Sequence, residues 1–232
     1  MAAGGFPENQ IAYRLTASGN VAYAGLYLNV LYRSTDGGRN WVRADAGLPG
    51  VFLTALAANG NAVFVGTGNY GGDDFGVYAS SNNGRNWRQI SEGLTGSTVT
   101  SLALNGNRLF AGTVGGVFLL ADNVQDWAEQ NAGLKSRAIN TVLVRGNSWF
   151  VGTVSSGVFR STDRGQSWVE VNNRLPVSLG GLSVANVQSL VANGGYIFAG
   201  LFGGGVYRTS NDGAAWEEVN NGLANRYVNA LK

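Results

Sequence analysis

One octapeptide constrains this chain more than any other feature. Ser34-Thr35-Asp36-Gly37-Gly38-Arg39-Asn40-Trp41 returns, with drift, at residues 80–87, 120–127, 161–168 and 209–216. The closing tryptophans, Trp41, Trp87, Trp127, Trp168 and Trp216, follow one another at intervals of 46, 40, 41 and 48 residues. Other landmarks keep the same phase. A leucine lies seven residues after each tryptophan (Leu48, Leu94, Leu134, Leu175, Leu223), and one set of glycines (Gly19, Gly60, Gly106, Gly146, Gly194) falls where a first hairpin would close. A second set (Gly25, Gly66, Gly112, Gly152, Gly200) ends the strand after it.

Each octapeptide joins an alternating apolar run, such as Val30-Leu31-Tyr32-Arg33-Ser34, to a second short run, Trp41-Val42-Arg43. A polar, glycine-rich link between two such runs predicts a β-hairpin. The residue five before the tryptophan is Asp36, Asn82, Asp122, Asp163 or Asn211. Aspartate and asparagine share a short side chain that accepts hydrogen bonds from turn amides. A cation or acid site would not accept asparagine twice, so the motif reads as a folding device in which each tryptophan braces its hairpin. The third copy has Val124 where the others have glycine, which predicts a differently closed turn.

The period points to blades of four strands, A to D. In the second unit these are expected at 53–58, 62–66, 76–80 and 86–90. Five units predict an all-β fold, a five-bladed β-propeller of four-stranded antiparallel blades, with residues 1–232 as one domain. Trp149, outside the octapeptides, is read as core packing, with a surface contact as the alternative. Closure is open. Tyr227-Val228-Asn229-Ala230-Leu231-Lys232 looks like an A strand, as does Ile11-Ala12-Tyr13-Arg14-Leu15. Either the C-terminal strand fastens the first blade, or it begins a further unit and leaves an edge that favours association. A monomer is expected if the ring closes.

The pattern S-x-D-x-G-x-x-W after a G-V-Y/F strand resembles the Asp-box, or bacterial neuraminidase, repeat, and five copies cover nearly the whole chain. The resemblance implies propeller blades with the box on the face opposite the ligand. It also implies an exported or extracellular protein, although Met1-Ala2-Ala3-Gly4-Gly5 has no signal-peptide character. The repeats look similar, too, to those of xyloglucan-active enzymes and photosystem assembly factors.

Composition narrows the chemistry. The chain has no Cys and no His, which removes thiolate and imidazole ligands and the Ser-His-Asp and Cys-His mechanisms. Its net charge of +2 comes with only two lysines, Lys135 and Lys232, and no basic run, so no nucleic-acid footprint is expected. No apolar stretch approaches the length of a membrane span. No cofactor or metal is expected.

With the octapeptides as C–D links, the B–C and D–A loops form the other face, where function is expected. The B–C loop of the second unit inserts Asn69-Tyr70-Gly71-Gly72-Asp73-Asp74-Phe75. The D–A loop after the fourth inserts Pro176-Val177-Ser178-Leu179-Gly180-Gly181-Leu182-Ser183. Tyr70, Asp73, Asp74 and Phe75 suit a sugar, with a ring on its C–H face and an acid on its hydroxyls. The two aspartates could instead hold a hard cation, or the loop could be a solvated tip. Arg137, Arg226 and Tyr227 complete the candidate surface. The expected function is a non-catalytic binding or scaffold propeller for a glycan or a protein. The alternative is a sialidase-like glycosidase, for which the resemblance offers Arg14, Arg137 and Arg226 as an arginine triad, Tyr227, and Asp73 or Asp74 as the acid. The Arg-Ile-Pro segment of those enzymes is absent, and most glutamates fall on or after D strands.

Overall fold

The computed structural model describes residues 5, 11–26, 30–50, 52–68, 75–95, 98–120, 126–176 and 186–231. The described chain is all-β, with twenty strands in five four-stranded antiparallel sheets. The first sheet is β1 (Ala12–Ser18), β2 (Val21–Leu26), β3 (Val30–Ser34) and β4 (Val42–Arg43). The second is β5 (Leu53–Asn59), β6 (Ala62–Thr67), β7 (Val77–Ser80) and β8 (Arg88–Gln89). The third is β9 (Val99–Asn105), β10 (Arg108–Thr113), β11 (Gly116–Leu120) and β12 (Ala128–Glu129). The fourth is β13 (Ile139–Arg145), β14 (Ser148–Thr153), β15 (Val158–Ser161) and β16 (Val169–Glu170). The fifth is β17 (Val187–Asn193), β18 (Tyr196–Leu201), β19 (Gly205–Thr209) and β20 (Glu217–Glu218). In every sheet the strands pair in chain order, and each D strand has only two residues, shorter than the five expected for the second unit.

The chain forms two compact units. One is Met1–Leu109 with Leu120–Trp127, and the other is Phe110–Leu119 with Ala128–Lys232. The third sheet is divided between them.

Within each unit one contact repeats. The glycine near the end of a B strand receives the first apolar residue of the next A segment. A Cβ on Gly66 would meet Val99 Cγ1 at 2.6 Å, one on Gly112 would meet Ile139 Cγ2 at 2.7 Å, and one on Gly152 would meet Val187 Cγ1 at 2.6 Å. Gly25 faces Leu53 in the same way, more loosely, at 3.7 Å. The second glycine landmark is therefore a packing surface. Small residues there let one sheet lie directly on the next, at the close-packed density of protein interiors. Trp149 is buried, edge-on to Phe110 with centroids 4.2 Å apart.

The two terminal segments are resolved by the same contact. β1 pairs with β2 from Ala12 to Ser18, so the N-terminal segment is the A strand of the first sheet. The C-terminal segment takes the corresponding place on the fifth sheet. There Val228 lies where a Cβ on Gly200 would be, at 2.5 Å, and Phe202 and Tyr227 form an isolated bridge. It carries no strand of its own among the described residues. β1 also differs from the other A strands in exposing Tyr13 and Leu15, and Ile11 just before it is exposed as well.

Candidate functional site

The octapeptide ends of the sheets are built alike. In the first, Ser34 Oγ donates to Asp36 Oδ1 at 2.8 Å and accepts from the Gly38 amide at 2.8 Å, while the Asn40 amide donates to Asp36 Oδ1 at 2.9 Å. Asp163 repeats this with Ser161, Gly165 and Ser167. Asn82 and Asn211 do so with their Oδ1 atoms, accepting from Asn86 and Ala215 at 3.0 Å each. A single carbonyl-type oxygen suffices for the turn, which explains the exchange of Asp for Asn. The second carboxylate oxygen goes to a side chain, Asn40 Nδ2 at 2.7 Å or Ser167 Oγ at 2.5 Å. These bonds hold both carboxyls at about 2. The Asn40 amide is the largest cause for Asp36, and the Ser167 hydroxyl for Asp163. The third turn, with Asp122 and Val124, lies outside the described residues.

The tryptophans do not brace their own hairpins, with one exception. Trp41 donates its indole N–H to Gly38 O in its own turn. Trp87, Trp127, Trp168 and Trp216 donate instead to Ala44, Ile90, Gln130 and Val171, each just past the D strand of the sheet before. The motif is a stitch between consecutive sheets. Among the described residues, no group of three or more acidic side chains could hold a metal.

At the opposite end, a second brace recurs that sequence reasoning missed. Four residues after the tryptophan, Ser91, Asn131, Asn172 and Asn220 accept from the amides of Val77, Val117, Val158 and Val206 through a side-chain oxygen. Asn172 also donates to Ser156 O at 2.8 Å, and Asn220 to Gly204 O at 3.2 Å. The D–A loop thereby holds the B–C loop of its own sheet. The signal was present as a polar residue in fixed phase with the tryptophan and leucine.

Of the predicted site residues, Tyr70, Asp73 and Asp74 lie outside the described residues. Phe75 is half-buried, and its carbonyl accepts from Gln89 Nε2 at 3.2 Å. Arg137 and Arg226 are not free cations. Arg137 pairs with Glu129 at 2.5 Å and Arg226 with Glu218 at 3.2 Å, each on the preceding D strand. Arg14, in the first unit, donates to Thr54 O at 2.5 Å. Tyr227 is exposed and meets Phe202 edge-on at 4.8 Å and 76°.

The second unit brings more to this end than was expected. Val114, Val154 and Phe202 occupy the same position just past their B strands, and are 46, 40 and 48% exposed. Beside them lie three carboxamides. Asn140 Nδ2 donates to Asn186 Oδ1 at 2.8 Å and to Val187 O at 3.1 Å, and Gln188 Nε2 donates to Asn186 Oδ1 at 2.7 Å. Asn186 also accepts the Phe202 amide on its carbonyl, at 2.9 Å, which ties the cluster to the aromatic pair.

No known family's sequence pattern matches the chain, and no curated protein is similar to it in sequence. Solved structures are similar in fold. YCF48 from Cyanidioschyzon merolae aligns over 94% of this chain and 72% of its own, at 19% identity and a TM-score of 0.65. YCF48 bound to D1 peptide aligns over 90% of this chain and 66% of its own, at 14% identity and a TM-score of 0.64. The GH74 xyloglucanase from Xanthomonas campestris aligns over 92% of this chain but only 39% of its own, at 17% identity and a TM-score of 0.64. Five four-stranded antiparallel sheets in sequence order, together with these likenesses, give the chain a β-propeller type of fold.

Proposed function

We propose that the chain is a single five-bladed propeller of the Asp-box type and works as a non-catalytic binding module. Its ligand is a peptide segment of a partner protein, held on the face made by the B–C and D–A loops. The observation that carries this reading is the exposed apolar series of the second unit, Val114, Val154 and Phe202, ending in the Phe202–Tyr227 pair. Exposed apolar side chains at one repeated position, framed by polar groups, are the signature of an interaction surface. Two rings meeting at 76° make a notch for an apolar side chain rather than the flat shelf a sugar ring needs. A similar propeller has been solved with a peptide bound.

Arg137 and Arg226 flank this surface. Exposed ion pairs such as theirs contribute only about 0–1 kcal/mol, so each guanidinium can be shared with an acidic group of the ligand.

The test is parallel binding to an array of unstructured peptides and an array of glycans, with wild type and the Phe202→Ala/Tyr227→Ala double variant. Peptide hits that weaken about tenfold or more in the variant, with an unchanged melting temperature, are expected. Hits on glycans alone would replace the peptide with a sugar. Hits indifferent to both substitutions would remove the loop face, and turnover of fluorogenic glycosides would overturn the non-catalytic reading.

A further inference from the structure

Four A–B pairings, those of the first, second, fourth and fifth sheets, contain one irregularity at the same place. The register shifts between Ala12 and Arg14, Leu53 and Ala55, Ile139 and Thr141, and Val187 and Ser189. The extra residue in each bulge is Tyr13, Thr54, Asn140 or Gln188. A bulge takes one residue out of the ladder and re-aims its side chain. In the second, fourth and fifth sheets the flanking residues repeat in kind, with Leu53, Ile139 and Val187 facing the glycine of the sheet before and Ala55, Thr141 and Ser189 on the other side, while the slot between them does not repeat. In the first unit it holds a phenol and a hydroxyl. In the second unit it holds Asn140 and Gln188, and the C-terminal segment places Asn229 directly after Val228, as Asn140 follows Ile139.

We infer that Asn140 and Gln188, both bonded to Asn186, together with Asn229 at the equivalent place on the C-terminal segment, form a subsite for the main chain of an extended, uncharged peptide segment. The inference rests on the peptide-binding reading above. A carboxamide is the side chain closest in chemistry to a peptide group: planar, neutral, and both donor and acceptor. The internal bonds determine which atoms are spent. Asn186 Oδ1 receives both Asn140 Nδ2 and Gln188 Nε2, so it is the oxygen, and Asn186 Nδ2 is left as a donor. Asn140 Oδ1 and Gln188 Oε1 are left as acceptors, and none of these three atoms bonds to a described residue. Asn140, Asn186 and Gln188 are half-buried, and polar atoms of this kind are hydrogen-bonded to water unless a ligand takes its place. A ligand that reproduces those bonds displaces that water without loss. A peptide main chain presents one N–H and one C=O per residue and does so. An apolar side chain beside it enters the Phe202–Tyr227 notch, to which Asn186 is joined through the Phe202 amide.

The probe is N-acetyl-valine-N′-methylamide, two peptide groups around one apolar side chain, titrated into the full chain and followed by the side-chain amide signals in 1H–15N spectra. The side-chain signals of Asn140, Asn186, Gln188 and Asn229 should shift saturably, and those of the bracing Asn172 and Asn220 should not. Asn229 is exposed and its side chain bonds to no described residue, so Asn229→Ala should fold normally while weakening the probe about three- to tenfold. Uniform shifts across all carboxamides, or saturable shifts with methyl β-glucoside in place of the dipeptide, would overturn the subsite. The peptide array separates the two levels. Hits that depend on Phe202 and Tyr227 but ignore Asn229→Ala and Gln188→Leu would end the subsite and leave the peptide reading standing, whereas an empty array ends both.

Discussion

The two ends of each sheet obey different rules. At the octapeptide end, the four described turns make the same hydrogen bonds with Ser or Thr, Asp or Asn, and Gly, and four of five tryptophans reach back to the sheet before. At the loop end the brace repeats, but what it carries does not. The position just past the B strand holds valine in two sheets (Val114, Val154) and phenylalanine in a third (Phe202), and the bulge slots hold four different residues. The difference is physical. A turn amide needs an acceptor at one fixed point, so only a few residue types work there. A side chain standing clear of the braced loop meets no such demand and is free to follow a ligand.

The largest test of that contrast is Trp168→Ala. It removes a buried ring and leaves Gln130 O without its donor, so a loss of about 3–5 kcal/mol is expected. Trp41 is only partly buried and bonds within its own turn, so Trp41→Ala should cost clearly less. Denaturant melts of both variants measure the difference. Equal losses would mean that the tryptophans brace hairpins after all and that the stitch between sheets adds nothing.

Smaller is the effect of filling the packing glycines. Gly152→Val would drive its side chain into Val187 and Thr141, with the Cβ alone at 2.6 and 2.7 Å from them, and overpacking of this kind costs about 1–3 kcal/mol. Gly50, with no neighbour within 4 Å of a Cβ, should accept alanine within about 0.5 kcal/mol. A Gly152→Val protein as stable as wild type would show that the sheets can separate at this contact at no cost.

Much of the fold is legible in the amino-acid sequence. The strand order, the hairpin glycines and the phase of the tryptophans follow from a five-times repeated pattern, in which each copy corrects the reading of the others. The destination of the indole N–H is not legible there, because a bond from Trp168 to Gln130 depends on how one repeat is stacked on another, and local propensity does not encode that. The site is less legible still. Length of insertion draws attention to Tyr70, Asp73 and Asp74. The carboxamides escape notice because Asn140 and Gln188 read as ordinary polar positions of an alternating strand until the bulge sets them apart. Arg137 and Arg226 look available because their partners, Glu129 and Glu218, are eight residues away along the chain and become neighbours only when the D–A loop folds back.

The smallest effect divides the octapeptide turns among themselves. Asp36 and Asp163 carry a charge, and Asn82 and Asn211 do not, yet the backbone bonds are the same. The Ser167 hydroxyl and amide, followed by the Ser161 hydroxyl, favour the ionised Asp163 and hold its carboxyl at about 2, below the ordinary 3.8. A carboxyl depressed in the folded state contributes stability that is complete above its ordinary value and is lost as the pH falls through the folded one. The contribution of Asp163, and that of Asp36 by the same argument, should therefore fade between about pH 4 and about pH 2. Asp163→Asn keeps the Oδ1 acceptor that Asn82 and Asn211 already use, so the variant should fold. Its melting temperature should fall less steeply than that of wild type across this interval. Identical slopes would show that the second carboxylate oxygen and its bond to Ser167 are incidental, and that the turn needs one neutral acceptor and nothing more.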